Sequence, residues 1–309
     1  MENQTIISEF ILLGFHTELQ IQFLIFVVFF ITYMLTVLEN LIIISVVKGS
    51  RSLHKPMYFF LGNLSILEIW YVSVTLPKFL VDIWTQNKII SFHNCMTQLY
   101  FFISLMCTEC VLLAVMAYDR YVAICNPLCY PIIMTDRLCF LLGVLPWLSG
   151  FSISFIKIIF ISRLSFCSPG IINHFFCDIS PVLNISCTDM SIAEFVDFIL
   201  ALVILLIPLS VTILSYIFII ASIFRIPTTQ GKKKAFSTCS SHLIVVSVFY
   251  GSLVFVYALP KKEALREADK IFSVIYTVLT PLINPLIYSL RNKEVKEALR
   301  RGIIKAIYK

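Results

Sequence analysis

Seven apolar stretches, each close to the roughly 20 residues that cross a bilayer as a helix, leave this chain few ways to fold. They run about Phe23–Val47, Met57–Leu80, Met96–Ile124, Leu138–Ile161, Phe195–Phe224, Ala235–Leu259 and Ile271–Leu290. Membrane-spanning strands would be shorter and would alternate apolar with polar residues, which these stretches do not. A helix satisfies its own backbone polar groups in lipid, so the pattern predicts an all-α membrane protein, a seven-helix bundle. Composition agrees, with 59% of residues hydrophobic and 14% charged. The expected organisation is one seven-helix domain over 1–309: an N-terminal segment 1–22, the bundle 23–290 and a tail 291–309.

Lys and Arg orient the bundle. The connections after the first, third and fifth spans, together with the tail, carry sixteen of them, and the opposite side carries seven. Positive residues favour the cytoplasm, which predicts an extracellular N-terminus and a cytoplasmic tail. The first residues have no basic segment followed by a short cleavable apolar core, so the first span is expected to act as its own insertion signal. On the outer side Asn3-Gln4-Thr5 is a glycosylation sequon, with a second at Asn184-Ile185-Ser186. Four of ten cysteines, Cys95, Cys167, Cys177 and Cys187, fall on that oxidising side. Four cysteines allow three pairings, and spacing alone does not choose among them. The remaining six read as small buried hydrophobes, and no cysteine–histidine spacing suggests zinc.

Charged residues inside the spans are the functional candidates. The third span ends on Asp119-Arg120-Tyr121, and the seventh ends in Pro281-Leu282-Ile283-Asn284-Pro285-Leu286-Ile287-Tyr288, where two prolines remove helical hydrogen bonds and create a kinked segment. Positions 102, 106, 109, 113, 116 and 120 follow three-and-four spacing and share one helix face. Phe102 and Arg120 lie roughly 27 Å apart along that face at 1.5 Å per residue. A bare charge at Glu109 or Glu68 would be costly at such depth, so each is expected to be paired, protonated or hydrated. In the sixth span Tyr250, Leu253, Val254 and Tyr257 recur at helical spacing. With Phe102, Ile103, Met106 and Cys107 they predict an apolar cavity with a few polar groups, suited to a small, mostly apolar ligand. After Asn292, the stripe Val295, Leu299, Ile303 and Ile307 predicts an amphipathic helix lying against membrane lipid.

Asp119-Arg120-Tyr121 and Asn284-Pro285-Leu286-Ile287-Tyr288 on such a chain resemble the rhodopsin-like G-protein-coupled receptors. PMYFFLGNLS, MAYDRYVAIC, KAFSTCSSHL, FYGS and PLINPLIYSLRN, in that order, narrow the resemblance to the vertebrate olfactory receptors, over nearly the whole chain. The resemblance implies a receptor rather than an enzyme, located in the plasma membrane. Its implied partners are a small volatile ligand and a heterotrimeric G protein of the olfactory stimulatory type, which raises cyclic AMP. Membrane lipid is a further partner, nucleic acid is not, and no cofactor is implied beyond an allosteric sodium ion. The resemblance pairs Cys95 with Cys177 and Cys167 with Cys187. It assigns G-protein coupling to Asp119, Arg120, Tyr121, Tyr216 and Tyr288, and adds Leu200, Ile204 and Thr277 to the ligand set. The family's sodium pocket would correspond to Glu68, Glu109 and Asn284. Two protonated carboxyls hydrogen-bonded in the bundle are the other reading of these acids.

Departures from the wider pattern are also present. Lys232-Lys233-Lys234 stands where many such receptors place an acid that locks Arg120, Glu68 replaces a usual Asp, and Glu39 replaces a usual Gly. No acid stands at Phe102, where amine receptors carry one, which disfavours an amine ligand. A non-sensory chemoreceptor of the same fold would carry the same residues. A channel or transporter would show internal repeats, which are absent from the sequence.

Overall fold

The computed structural model describes residues 8–15, 17–166, 170–188, 190–258, 266–291 and 293–307. Seven of its helices are long and apolar enough to cross a membrane. The first three are α1 (Leu19–Gly49), α2 (Pro56–Thr85) and α3 (Phe92–Cys125). After a short helix, α4 (Tyr130–Ile133), come α5 (Asp136–Ile161), a second short helix α6 (Ile179–Leu183), α7 (Ser191–Arg225) and α8 (Thr229–Ala258). The seventh span is composite: α9 (Arg266–Val274), a π-helical turn Ile275–Leu279, and α10 (Thr280–Arg291). Pro281 explains the turn. Without an N–H it cannot bond four residues back, the local register widens, and the Thr280 hydroxyl donates to Ile275 O at 3.0 Å. The tail forms α11 (Lys293–Ile307) with Val295 and Ala298 buried; the side chains of Ile303 and Ile307 lie outside the described residues.

The chain divides into two compact units. The first comprises Met1–Met34, Trp70–Thr108 and Trp147–Ile204. It adds to the helices a small sheet that hydropathy does not reveal. Strand β1 (Glu9–Leu12) runs antiparallel to β2 (Ile89–Ser91) with Phe10 opposite Ile90, and parallel to β3 (Ile171–Ile172) with Leu12 opposite Ile172. Alternation along β1 buries Phe10 and Leu12 and turns Glu9 and Ile11 outward. Gly14, at φ 65°, turns the chain after the strand in a conformation that costs other residues energy. Cys95 at the start of α3 is disulfide-bonded to Cys177, with Cα atoms 5.6 Å apart. Cys187 is disulfide-bonded as well; its expected partner Cys167, like the sequon Asn3, lies outside the described residues. Within this unit α3 and α5 approach closely at Gly150, where a Cβ would strike Ser104 O and Thr108.

The second unit comprises Leu35–Ile69, Glu109–Pro146 and Leu205–Lys309. Its α11 is tied to the chain just before and within α2. Glu294 accepts from Lys55 Nζ at 2.8 Å through both oxygens and from Tyr58 Oη at 3.0 Å. The Lys55 hydrogen bond is the main reason the Glu294 carboxyl is held below its usual range.

Candidate functional site

In the first unit α3 presents Phe102, Ile103, Met106 and Cys107, all buried. The Phe102 ring packs against Phe176 of the segment before α6, at 4.7 Å between centroids, and against Tyr71 of α2, at 5.7 Å. The Cys95–Cys177 bond explains that contact, because it holds the residue next to Phe176 at the head of α3. Cys177 N also donates to Gln98 Oε1 at 3.0 Å. On α7 Ile204 is buried and Leu200 partly so.

The second unit holds the other expected ligand residues. Tyr250 and Leu253 are buried, and Tyr250 Oη donates to Cys110 O at 2.9 Å, joining α8 to α3. Tyr257 is half-buried, with its hydroxyl 3.4 Å from that of Tyr276. Thr277 is buried and donates to Ser273 O at 2.6 Å. Val254 departs from the expected face at 39% exposed, since one residue beyond buried Leu253 turns the helix by about 100°.

The acids come together in the same unit. Asn284 Nδ2 donates to Glu68 Oε1 at 2.7 Å across 216 residues of sequence. Asn40 of α1 is fully buried, donates to Thr36 O at 3.0 Å, and leaves its Oδ1 without a hydrogen-bond partner. Both oxygens of buried Glu109 also have none among the described residues. Glu68, Glu109, Asn40 and Asn284 are all buried.

At the far end of α3, Asp119 is 3% and Arg120 5% exposed, so this arginine does not extend from the bundle as a surface anchor would. Asp119 Oδ1 accepts from Tyr130 Oη at 2.8 Å. Tyr121 packs its ring against Phe218 of α7 at 5.8 Å. Tyr216 is buried, with its hydroxyl 2.8 Å from His242 Nδ1 and the two rings stacked. The Tyr288 side chain lies outside the described residues. His242 and Tyr130 were not singled out from the sequence. His242 stands in the quoted KAFSTCSSHL, and its one signal is a histidine within an otherwise apolar span.

Comparison with known proteins follows the same lines. The olfactory receptor family model matches residues 29–306. Human olfactory receptor 6B1 is 61% identical over 301 residues, covering 97% of this chain and 96% of that protein. Mouse olfactory receptor 6B9 is 56% identical, covering 98% and 96%. Among solved structures, squid rhodopsin superposes with a TM-score of 0.70 at 16% identity, covering 95% of this chain and 88% of that one, which establishes a shared seven-helix fold.

Proposed function

From a chain that belongs to the olfactory receptor family, and is therefore a seven-span G-protein-coupled receptor of the plasma membrane and not an enzyme, we propose a detector of one small, mostly apolar volatile that activates a stimulatory G protein and raises cyclic AMP. The reading places the N-terminus outside and α11 in the cytoplasm, as the Lys and Arg asymmetry favours. The ligand is held by Phe102, Ile103, Met106, Cys107, Leu200, Ile204, Tyr250, Leu253, Tyr257 and Thr277. Asp119, Arg120, Tyr121, Tyr216 and Tyr288 carry coupling. Asn3 carries glycan.

One observation supports this most: α3 buries ligand-set residues and Arg120 in one continuous helix. Arg120 is roughly 27 Å from Phe102 along that helix, too far to touch a small ligand. A ligand therefore acts on Arg120 by favouring one arrangement of α3, α8 and α10 over another. In this reading activation rearranges the bonds Tyr130–Asp119 and Tyr216–His242. Arg120→Ala should leave surface labelling near normal and abolish ligand-stimulated cyclic AMP. Near-normal signalling at near-normal surface levels would overturn the coupling role.

The same reading assigns a sodium ion to Glu68, Glu109 and Asn284. Bound sodium would supply positive charge to the acids and favour the resting state. Glu68→Gln should remove the sodium sensitivity of basal signalling; a folded wild type indifferent to sodium would favour the protonated pair instead.

A further inference from the structure

In the second unit a cleft of about 340 Å³ opens between the α1–α2 connection and the start of α5. That volume falls within the roughly 300–1,000 Å³ typical of small-ligand sites. Its lining is divided by chemistry. Lys48, His54 and Lys55 bring nitrogen to it, Asp136 brings a carboxylate, and Phe59 and Phe140 supply an aromatic wall. The chain explains the division. From Lys48 to Lys55 the sequence carries Lys48, Arg51 and Lys55 and no acid, so the turn from α1 into α2 is cationic throughout. His54 Nε2 lies 3.5 Å from Lys48 O and draws that turn together. Phe59 is seated against Gly143 of α5, where a Cβ would lie 2.5 Å from its ring, so the close approach of α2 and α5 fixes the wall. Both rings still face outward, with Phe59 40% and Phe140 63% exposed. Lys55 Nζ bonds both oxygens of Glu294, which leaves one of its three N–H donors. Lys48 takes part in no ion pair among the described residues.

A groove that merely faces lipid tails would be apolar from end to end, and a lone interfacial cation would extend into the headgroups without lining a cavity. Here cations and aromatic rings line one concave surface where two spans end. We infer that this cleft binds a phosphoinositide of the cytoplasmic leaflet. A basic pocket between spans on that side suits such a headgroup. A phosphate monoester carries a charge of about −1.5 to −2 and three acceptor oxygens, which match the donors of Lys48 and Lys55. The inositol ring adds hydroxyl donors, and one of them satisfies Asp136, whose charge would otherwise oppose an anion. The glycerol and the first acyl carbons lie along Phe59 and Phe140. Phosphatidylserine brings a single phosphate diester and a second carboxylate, so it fills the cationic end less well. The inference goes beyond odorant detection and rests on the orientation proposed above, which puts the α1–α2 connection in the cytoplasm.

The test uses the purified full-length receptor in micelles of neutral detergent and phosphatidylcholine. The probe is fluorescent phosphatidylinositol 4,5-bisphosphate, and phosphatidylserine with the same label and the free inositol phosphate headgroup are measured beside it. The phosphoinositide should bind saturably and more tightly than either. Lys48→Gln should weaken its binding about fivefold, the loss expected for one cation at an anionic lipid surface, and Lys48→Arg should restore most of it. Phe140→Ser should weaken the lipid and leave the free headgroup unchanged. Arg225→Gln removes an exposed cation at the end of α7, away from the cleft lining, and should change binding less than twofold. Equal binding of phosphatidylserine overturns the headgroup assignment, and equal binding of the free headgroup overturns the part given to the aromatic wall. An equal loss in Arg225→Gln and Lys48→Gln reduces the effect to diffuse charge and overturns the site. Orientation is read separately, by antibody labelling of a tag on the C-terminal tail in intact and permeabilised cells. Labelling only after permeabilisation supports the cytoplasmic occupant. Labelling of intact cells overturns the proposed orientation and the leaflet with it, whatever the micelles show.

Discussion

Helices α1 and α3 have nearly the same length, 31 and 34 residues, and both are strongly apolar. Their fates in the fold are opposite. The most apolar stretch of α1 is 6% buried and that of α3 is 83% buried. Lipid tails are as apolar as leucine, so hydropathy drives a segment into the membrane without deciding which segment becomes central. Polar groups do decide. Helix α3 buries Gln98, Ser104, Thr108, Glu109, Asp119 and Arg120, whereas α1 buries only Thr36, Asn40 and Ile43. Each such group is costly against hydrocarbon and finds partners only inside the protein.

The contrast can be broken by removing what holds α3. Cys177→Ala frees the segment bonded to its first turn, and loss of a native disulfide typically costs about 2–5 kcal/mol. Surface labelling should fall to near background, and normal surface levels would count against the tether. Buried aliphatics should separate the helices next. Leu113→Ala, at a fully buried position of α3, should cost about 2–5 kcal/mol. Leu38→Ala, 55% exposed on α1, should stay within about 0.5 kcal/mol. Thermal unfolding of the purified receptor measures both, and equal losses would mean the burial contrast carries no energy.

A smaller effect belongs to the α3–α5 contact. Gly150→Ala drives a methyl into Ser104 and Thr108 and should cost about 1–3 kcal/mol, read by the same unfolding measurement. The smallest is the latch on α11. Lys55 and Glu294 are 55% and 48% exposed, so Lys55→Ala should cost less than about 1 kcal/mol and less still in high salt. The folded value of Glu294 is depressed, so its contribution is fully present above the ordinary carboxylate range near about 4.3 and is lost as pH falls through the lowered folded value. Unfolding followed by titration should therefore show the Lys55→Ala difference unchanged from neutral pH down to about 5, shrinking only in acid.

Much of the candidate site was legible in the chain. Phe102 and Arg120 lie on one helix whose face can be drawn from spacing, and both are buried on α3, as is the neighbouring Asp119. The composite seventh span was legible in part, because Pro281 and Pro285 announce an interrupted helix while leaving open whether it kinks or widens. Val254 shows where periodicity loses resolution: one residue round the helix separates it from buried Leu253. The β1–β2–β3 sheet was not legible, since strands of two to four residues carry no period of their own and form only when three distant segments meet.

By itself the sequence determined the number and kind of the spans and the placing of Asp119-Arg120 near the end of one, because hydropathy, helical rise and charge are properties of neighbouring residues. The tertiary structure alone decided that Asn284 meets Glu68, that Tyr216 meets His242, that Lys157 meets Asp197, and that α3 lies buried while α1 lies exposed. A donor specifies what it needs but not which distant acceptor supplies it. That choice is made when helices pack and every buried polar group competes for the few partners that lipid does not offer.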